Sequence, residues 1–180
     1  MKLRTLSIAF FTLLAPIRAE AAANGQEVRL NVVSQPVADV VDTLSFMSGI
    51  PVTIVGKLDG RLENWSVNER GVAAFAALGR VGNLFVAFDG SRVIVAPRSE
   101  VTTVVLEQKK RNWSAAQSAI DTLFPFLPGD AIHHDATSDI VIVRGPAPFV
   151  SAVETVLSRS TEETVQIIRG GTMETITTAN

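Results

Sequence analysis

His133-His134-Asp135, with Asp130 and Asp139 close by in the chain, is the cluster whose residue types best suit a metal ion. Imidazole and carboxylate are standard ligands, but the geometry they must reach is strict. The spacing counts against it. Consecutive side chains on a strand point to opposite faces, so His133 and His134 do not readily share one ion. A polar hairpin rim accounts for the same residues.

Nucleophilic chemistry has no better footing. There is no Gly-x-Ser-x-Gly elbow, no cysteine, and no histidine beyond the adjacent pair. A Ser-His-Asp triad therefore has little to build on. Asp39 and Asp42 fall near the start of an expected helix, where the helix dipole favours carboxylates. Gly79-Arg-Val-Gly82 has the Gly-x-x-Gly form that clamps RNA in KH domains. There the loop joins two helices; here it falls between a helix and a strand, and helix termination explains it. The expectation is a chain with no catalytic residue, no cofactor and no metal, hence no enzyme.

What remains are candidate contact residues. Lys109, Lys110 and Arg111 form the one basic run, in an expected strand-to-helix loop. Such a run is a solvated loop or a contact for an acidic neighbouring subunit. Trp65 and Trp113 suit partly buried core positions, although Trp is also enriched at interfaces. Phe124-Pro-Phe-Leu-Pro-Gly129 carries more apolar surface than a loop needs, so an exposed Phe126 would suggest docking.

The elements that must position these residues follow from apolar spacing. Val28 to Val32 alternates as a half-buried strand. Pro36 opens a helix whose inward face is Val37, Val40, Val41, Leu44 and Met47. Gly49 ends it and Pro51 blocks its return. Val52–Val55 and Arg61–Val67 read as strands. Ser66 and Glu69 have the form of a capping box opening a short helix, with Val72, Phe75 and Leu78 inward and Gly79 and Gly82 ending it. Leu84–Phe88 and Arg92–Ala96 flank Asp89-Gly90-Ser91, a tight-turn signal.

A second set follows. Val101–Leu106 is a strand, and Asn112 caps a helix burying Ala116, Ile120, Leu123, Phe124 and Leu127. Pro125 and Pro128-Gly129 end it. Ala131–Asp135 and Ile140–Val143 are strands, and Pro148 suits the first turn of a last helix facing inward with Phe149, Val150, Val153, Val156 and Leu157. The fold class is α+β. A β-α-β-β-α-β-β module over residues 27–98 is followed by a β-α-β-β-α module over 101–161. Val165–Ile168 reads as a lone strand within a flexible tail (162–180), with Thr172 to Asn180 disordered.

The start of the chain reads as an export signal. Lys2 and Arg4 precede an apolar run from Leu6 to Ala15. Ala19-Glu20-Ala21 then offers a small-x-small cleavage site, with Ala21-Ala22-Ala23 as an alternative. The run is short for a membrane helix. Cleavage after Ala21 removes Lys2, Arg4, Arg18 and Glu20, leaving 13 basic against 17 acidic residues. A mildly acidic chain argues against a nucleic-acid partner. Without cysteine, disulfides and a lipid anchor at the cleavage site are excluded, and the fold rests on its core.

This order of elements resembles the N-terminal periplasmic domains of bacterial outer-membrane secretins, those of type III secretion above all. Phe88-Asp-Gly-Ser-Arg-Val-Ile-Val-Ala-Pro-Arg-Ser-Glu100 is similar to the hairpin closing their first domain, a domain shared with the N-terminal extension of TonB-dependent receptors. Ile142-Val-Arg-Gly-Pro-Ala-Pro-Phe149 is similar to the strand-to-helix turn of their second domain, a KH-like, ring-building one. The likeness spans Val28 to Arg159. It implies an exported collar subunit in the periplasm, associated with the outer membrane. Its partners would be a separate barrel-forming secretin subunit and inner-membrane ring proteins, in a homo- or hetero-oligomeric ring. Lys109, Lys110, Arg111, Phe126 and Arg144 would be its candidate contacts. The early stop of the chain resembles the short N-terminal piece of the split secretins of rhizobial type III systems, because residues 160–180 cannot supply a barrel. The receptor likeness implies an alternative, a monomeric signalling module that binds one periplasmic partner.

Overall fold

The computed structural model describes residues 25–107, 113–159, 163–169 and 172–178. The expected signal segment, the Asn112 cap and the Lys109–Arg111 run lie outside them.

β1 (Glu27–Pro36) pairs antiparallel with β3 (Arg61–Arg70), in one register from Glu27↔Arg70 to Pro36↔Arg61 that skips Val33 and Asn64. Between them run α1 (Val37–Ser48) and β2 (Val52–Ile54). Pro36 sets the entry to α1 with φ −55°, and Gly49 closes it in the left-handed region at φ 71°, its N–H on the Ser45 carbonyl. That conformation is cheap for glycine because it has no Cβ. Val37, Val40, Val41 and Leu44 are buried on one face of α1. Asn64, at φ 48°, kinks β3. The kink brings Leu62 and Trp65, three residues apart, to the same buried side, which a regular strand of period two would not do.

The capping box expected at Ser66 and Glu69 does not form. β1 offers both residues strand partners, Asn31 and Val28, and β3 runs on through Arg70. Helix α2 (Val72–Gly82) starts after Gly71, whose φ of 50° makes the turn, with no side-chain cap. Val72, Phe75 and Leu78 face inward as expected. Gly79 does not end the helix, which runs on to Gly82 and is capped by Asn83, in the left-handed region with its N–H on the Gly79 carbonyl. Gly79 instead admits a neighbour: a Cβ there would sit 2.8 Å from Val86 Cγ2.

β4 (Leu84–Phe88) and β5 (Val93–Pro97) form a hairpin, with β2 added parallel to β5 in the order β2-β5-β4. Its turn is held by Asp89. The carboxylate accepts from the N–H groups of Ser91 (2.9 Å) and Arg92 (2.8 Å) and from the Ser91 hydroxyl (2.8 Å). Partial burial pushes the Asp89 pKa up, but these donors and the Arg92 charge outweigh it and hold the carboxyl below its ordinary range. A depressed folded-state pKa stabilises the fold above the unfolded value and is lost as pH falls through the folded one. Asp89→Ala is therefore expected to lower stability by about 1 kcal/mol at neutral pH. Acid titration of urea midpoints should show that difference shrinking below about pH 4.

The second module starts with β6 (Thr102–Glu107), after a single 3-10 turn at Arg98–Glu100. Helix α3 (Trp113–Leu123), β7 (Ile132–Asp135), β8 (Ile140–Gly145) and α4 (Ala147–Arg159) complete it, with sheet order β6-β8-β7, all antiparallel. Helix α3 stops before Phe124-Pro125, since proline disfavours helical backbone in the residue before it. Ala116, Ile120 and Phe124, each four residues apart, take the buried stripe. Leu123, expected inward, falls on its flank and is 37% exposed. Both helices pack against the β8 face bearing Val141 and Val143, as a one-sided α+β layer.

The chain from Thr172 is also not the disordered tail expected. β9 (Glu163–Arg169) pairs antiparallel with β10 (Thr172–Thr178), from Glu163↔Thr178 to Arg169↔Thr172. Threonine and isoleucine supply five of the seven residues of β10, and β-branched residues suit a strand even where the composition is polar.

The β4–β5 hairpin is buried on both faces. Val86, Phe88, Val93 and Val95 belong to the first core, with both α1 and α2. Phe85, Ala87, Ile94 and Ala96 belong to the second, with Phe124, Phe149, Val150 and Val153. The Phe149 ring sits 5.2 Å from Phe85 and 4.9 Å from Phe124, between centroids. At the seam the Phe88 N–H donates to the Phe126 carbonyl (2.9 Å), and Arg98 pairs with Asp130 (3.0 Å). That ion pair is substantially exposed and contributes little. The shared apolar layer joins the modules.

Candidate interaction surface

The helices cover one face of the β6-β8-β7 sheet. The register fixes what stands on the other. Val105, Ile142 and His133 lie side by side across the three strands. Thr103 and Arg144 pair on one flank, and Glu107, Ile140 and Asp135 on the other. Directly opposed residues of antiparallel strands share a face. Val105 is 58% exposed, Ile140 and Ile142 are half-buried, and Arg144 and His133 are exposed. The result is a small apolar centre with a polar rim, which is how protein interfaces are built.

Arg144 is firmly placed, its backbone N–H donating to the Ala131 carbonyl at 2.7 Å. Among the described residues no carboxylate lies within ion-pair distance of its side chain. On the far side of the module, Asp121 of α3 and Glu154 of α4 are exposed among small residues such as Ser114, Ser118 and Ser151. The sheet side thus has an apolar centre with Arg144 on one flank and Glu107 and Asp135 on the other, while the helix side has small residues and two anions.

The histidine cluster is dispersed. His133 stands on the outer face and His134 on the inner one, stacked on Trp113 at 4.5 Å between ring centroids. Asp130 is engaged by Arg98. Asp135 holds its own turn through the Ser138 hydroxyl (2.6 Å) and the Thr137 N–H (2.9 Å), which keep its carboxyl below the ordinary range. Among the described residues no three His, Asp or Glu side chains converge on a metal-sized site. A cleft of about 320 Å³ opens at the seam, walled by Arg80, Arg98, Phe126, Leu127 and Asp130. Its one carboxylate is the partner of Arg98.

Of the expected contact residues, Arg144 stands on the open sheet face. Phe126 is half-buried rather than exposed, because it packs against the first module's core. Lys109, Lys110 and Arg111 lie outside the described residues. Val105 and Ile142 were not singled out by the sequence reading. Their signal is that Thr-Thr-Val-Val-Leu-Glu and Ile140-Val-Ile-Val143 place apolar residues on both faces of their strands.

No protein-family model matches the chain, and neither does any curated protein. Solved structures do. A chain of the Salmonella SPI-1 type III secretion injectisome basal body proteins InvG, PrgH and PrgK superimposes with a TM-score of 0.56 at 11% identity. The match covers 83% of this chain and 36% of that one. A chain of the SPI-1 injectisome assembly InvGN0N1:SpaPQR:PrgHK gives 0.53 at 14% identity, covering 73% and 92%. The fold is of the secretin N-terminal kind. A looser likeness, at a TM-score of 0.32 and 13% identity, is the N-terminal domain of the secretin XcpQ from Pseudomonas aeruginosa, with coverage of 78% and 70%. The chain spans about a third of the first of these neighbours, and at such identities the likeness is one of fold. Among the described residues no helix is long and apolar enough to cross a membrane.

Proposed function

We propose that this chain is a periplasmic collar component of a bacterial type III secretion channel, exported by its N-terminal signal and working with a separate barrel-forming secretin subunit. It would stand beneath the outer membrane and face the inner-membrane ring proteins. It would act by assembly, not catalysis. In rhizobial systems this is the place of the nodulation protein NolW. The observation that carries the reading is the open sheet face of the second module, apolar at Val105 and Ile142 with Arg144 on the flank away from Glu107 and Asp135, opposite a helix side bearing Asp121 and Glu154. Such unlike faces on one domain allow head-to-tail contacts that close into rings. Its two structural neighbours belong to injectisome assemblies, which favours this assembly over others.

The test is co-purification from envelope membranes through a tag after Asn180. Recovery in a megadalton complex with a barrel-bearing secretin fragment is expected. A free monomer in secreting cells would overturn the reading and favour a signalling module instead. Val105→Glu with Arg144→Glu is expected to reduce recovery about tenfold or more, since it sets like charge against the acidic helix side. The melting temperature should barely move, because both side chains are exposed. Unchanged recovery removes this face from the interface.

A further inference from the structure

The β9–β10 hairpin forms a two-stranded sheet by itself. Each strand has one edge of backbone N–H and C=O groups without a strand partner among the described residues. A lone hairpin is marginal in water; a third strand or a packed layer makes it stable. Natural sheets blunt such edges with proline, lysine, bulges or very short strands. Neither β9 nor β10 contains proline or lysine, and each is seven residues long.

β1 and β3 also leave an edge each, but β1 carries Glu27, Arg29 and Pro36, and β3 carries Arg61, Glu63, Glu69 and Arg70; β6 has a single charge, Glu107. β6 is hydrogen-bonded to β8 on one side and, among the described residues, carries no strand on the other. It is six residues of Thr-Thr-Val-Val-Leu-Glu, without proline or lysine, and Val105 at its centre is 58% exposed. The opposite edge, β7, is only four residues, three of them His133, His134 and Asp135. The hairpin is not joined to β6 of its own chain, so both edges are open together in every copy.

We infer that the hairpin of one copy adds to the β6 edge of a second copy, extending the neighbour's three-stranded sheet through β10. The lengths agree, at about 20 Å each. Both strands are rich in β-branched residues. Main-chain pairing of this kind supplies affinity without a preformed pocket. The contact is head-to-tail: the donor's β6 stays free for a third copy, so the array propagates until it closes. The inference rests on the ring reading and gives the ring its direction.

The natural chain has no cysteine, which makes the test clean. Two full-length single-cysteine variants, Val105→Cys and Thr175→Cys, are purified, mixed at high concentration and treated with a short bismaleimide. A mixed crosslinked dimer is expected as the main product; deletion of residues 163–178 from the Val105→Cys partner leaves it intact, while Ile176→Pro in the Thr175→Cys donor, which keeps the cysteine but removes a strand N–H, abolishes it. Thr175-to-Thr175 dimers would show hairpins pairing with each other and overturn the inference. So would an intramolecular product in a chain carrying both cysteines, or no crosslink at all. Co-purification with the barrel fragment in the face of any of these would leave the collar reading standing and remove this contact alone.

Discussion

Phe149→Ala is expected to cost about 3–5 kcal/mol, the range for emptying a fully buried aromatic site. Phe149 is completely buried, in the first turn of its helix, and packed on rings from two elements, Phe85 of the first module and Phe124 of the second. Collapse cannot refill such a space, because its walls belong to a strand hairpin and a helix terminus fixed from other directions. Each module holds one tryptophan, Trp65 and Trp113. Trp65→Phe and Trp113→Phe chains therefore report each module separately in urea. In the parent the two transitions should coincide, as a shared apolar layer requires. In Phe149→Ala the Trp113 transition should move to lower urea and precede that of Trp65. Coincident and unshifted transitions would show that the aromatic cluster does not hold the modules together.

Gly145→Val should be nearly as damaging, by an opposite route. Gly145 is buried at the end of β8, under the Phe149 ring. A Cβ there would overlap that ring, with Cε1 and Cγ only 3.0 and 3.1 Å away. Overpacking costs about 1–3 kcal/mol where neighbours can shift and more where they cannot, and a fully buried ring between two others cannot. Gly145→Val, Phe149→Leu together should recover part of the loss, because the smaller side chain returns the space. Urea midpoints of the single and double variants measure this; equal midpoints would place the clash elsewhere.

Much of the fold was legible in the sequence because local and tertiary signals agreed. Val37, Val40, Val41 and Leu44 lie at helical spacing and are buried together, and Asp89-Gly90 makes the turn its chemistry suits. The misreadings arose where a long-range partner outweighed a local preference. Ser66 and Glu69 look like a cap in isolation, yet β1 offers them strand partners. Gly79 looks like a stop, yet its use is to let Val86 approach. Leu123 sits at an inward-looking spacing until Pro125 ends the helix and Phe124 takes the place. The polar threonines of β10 hid a strand. The open sheet face was half legible: Arg144 stood out as a charge, while Val105 and Ile142 needed a register to tell one face from the other. Leu84-Phe-Val-Ala-Phe88 is uninterrupted by polar residues, and such runs belong to strands covered on both sides. What covers the second side is not local information.

That doubly covered hairpin also bears on how such a chain can descend. Copied without its neighbour, the first module would carry Phe85, Ala87, Ile94 and Ala96 uncovered into solvent, a sticky patch under selection to disappear. The second module, copied alone, would lack a wall of its own interior. Recombination between the two is therefore costly in this chain, and a copy of either module alone would first have to re-cover the side it bares.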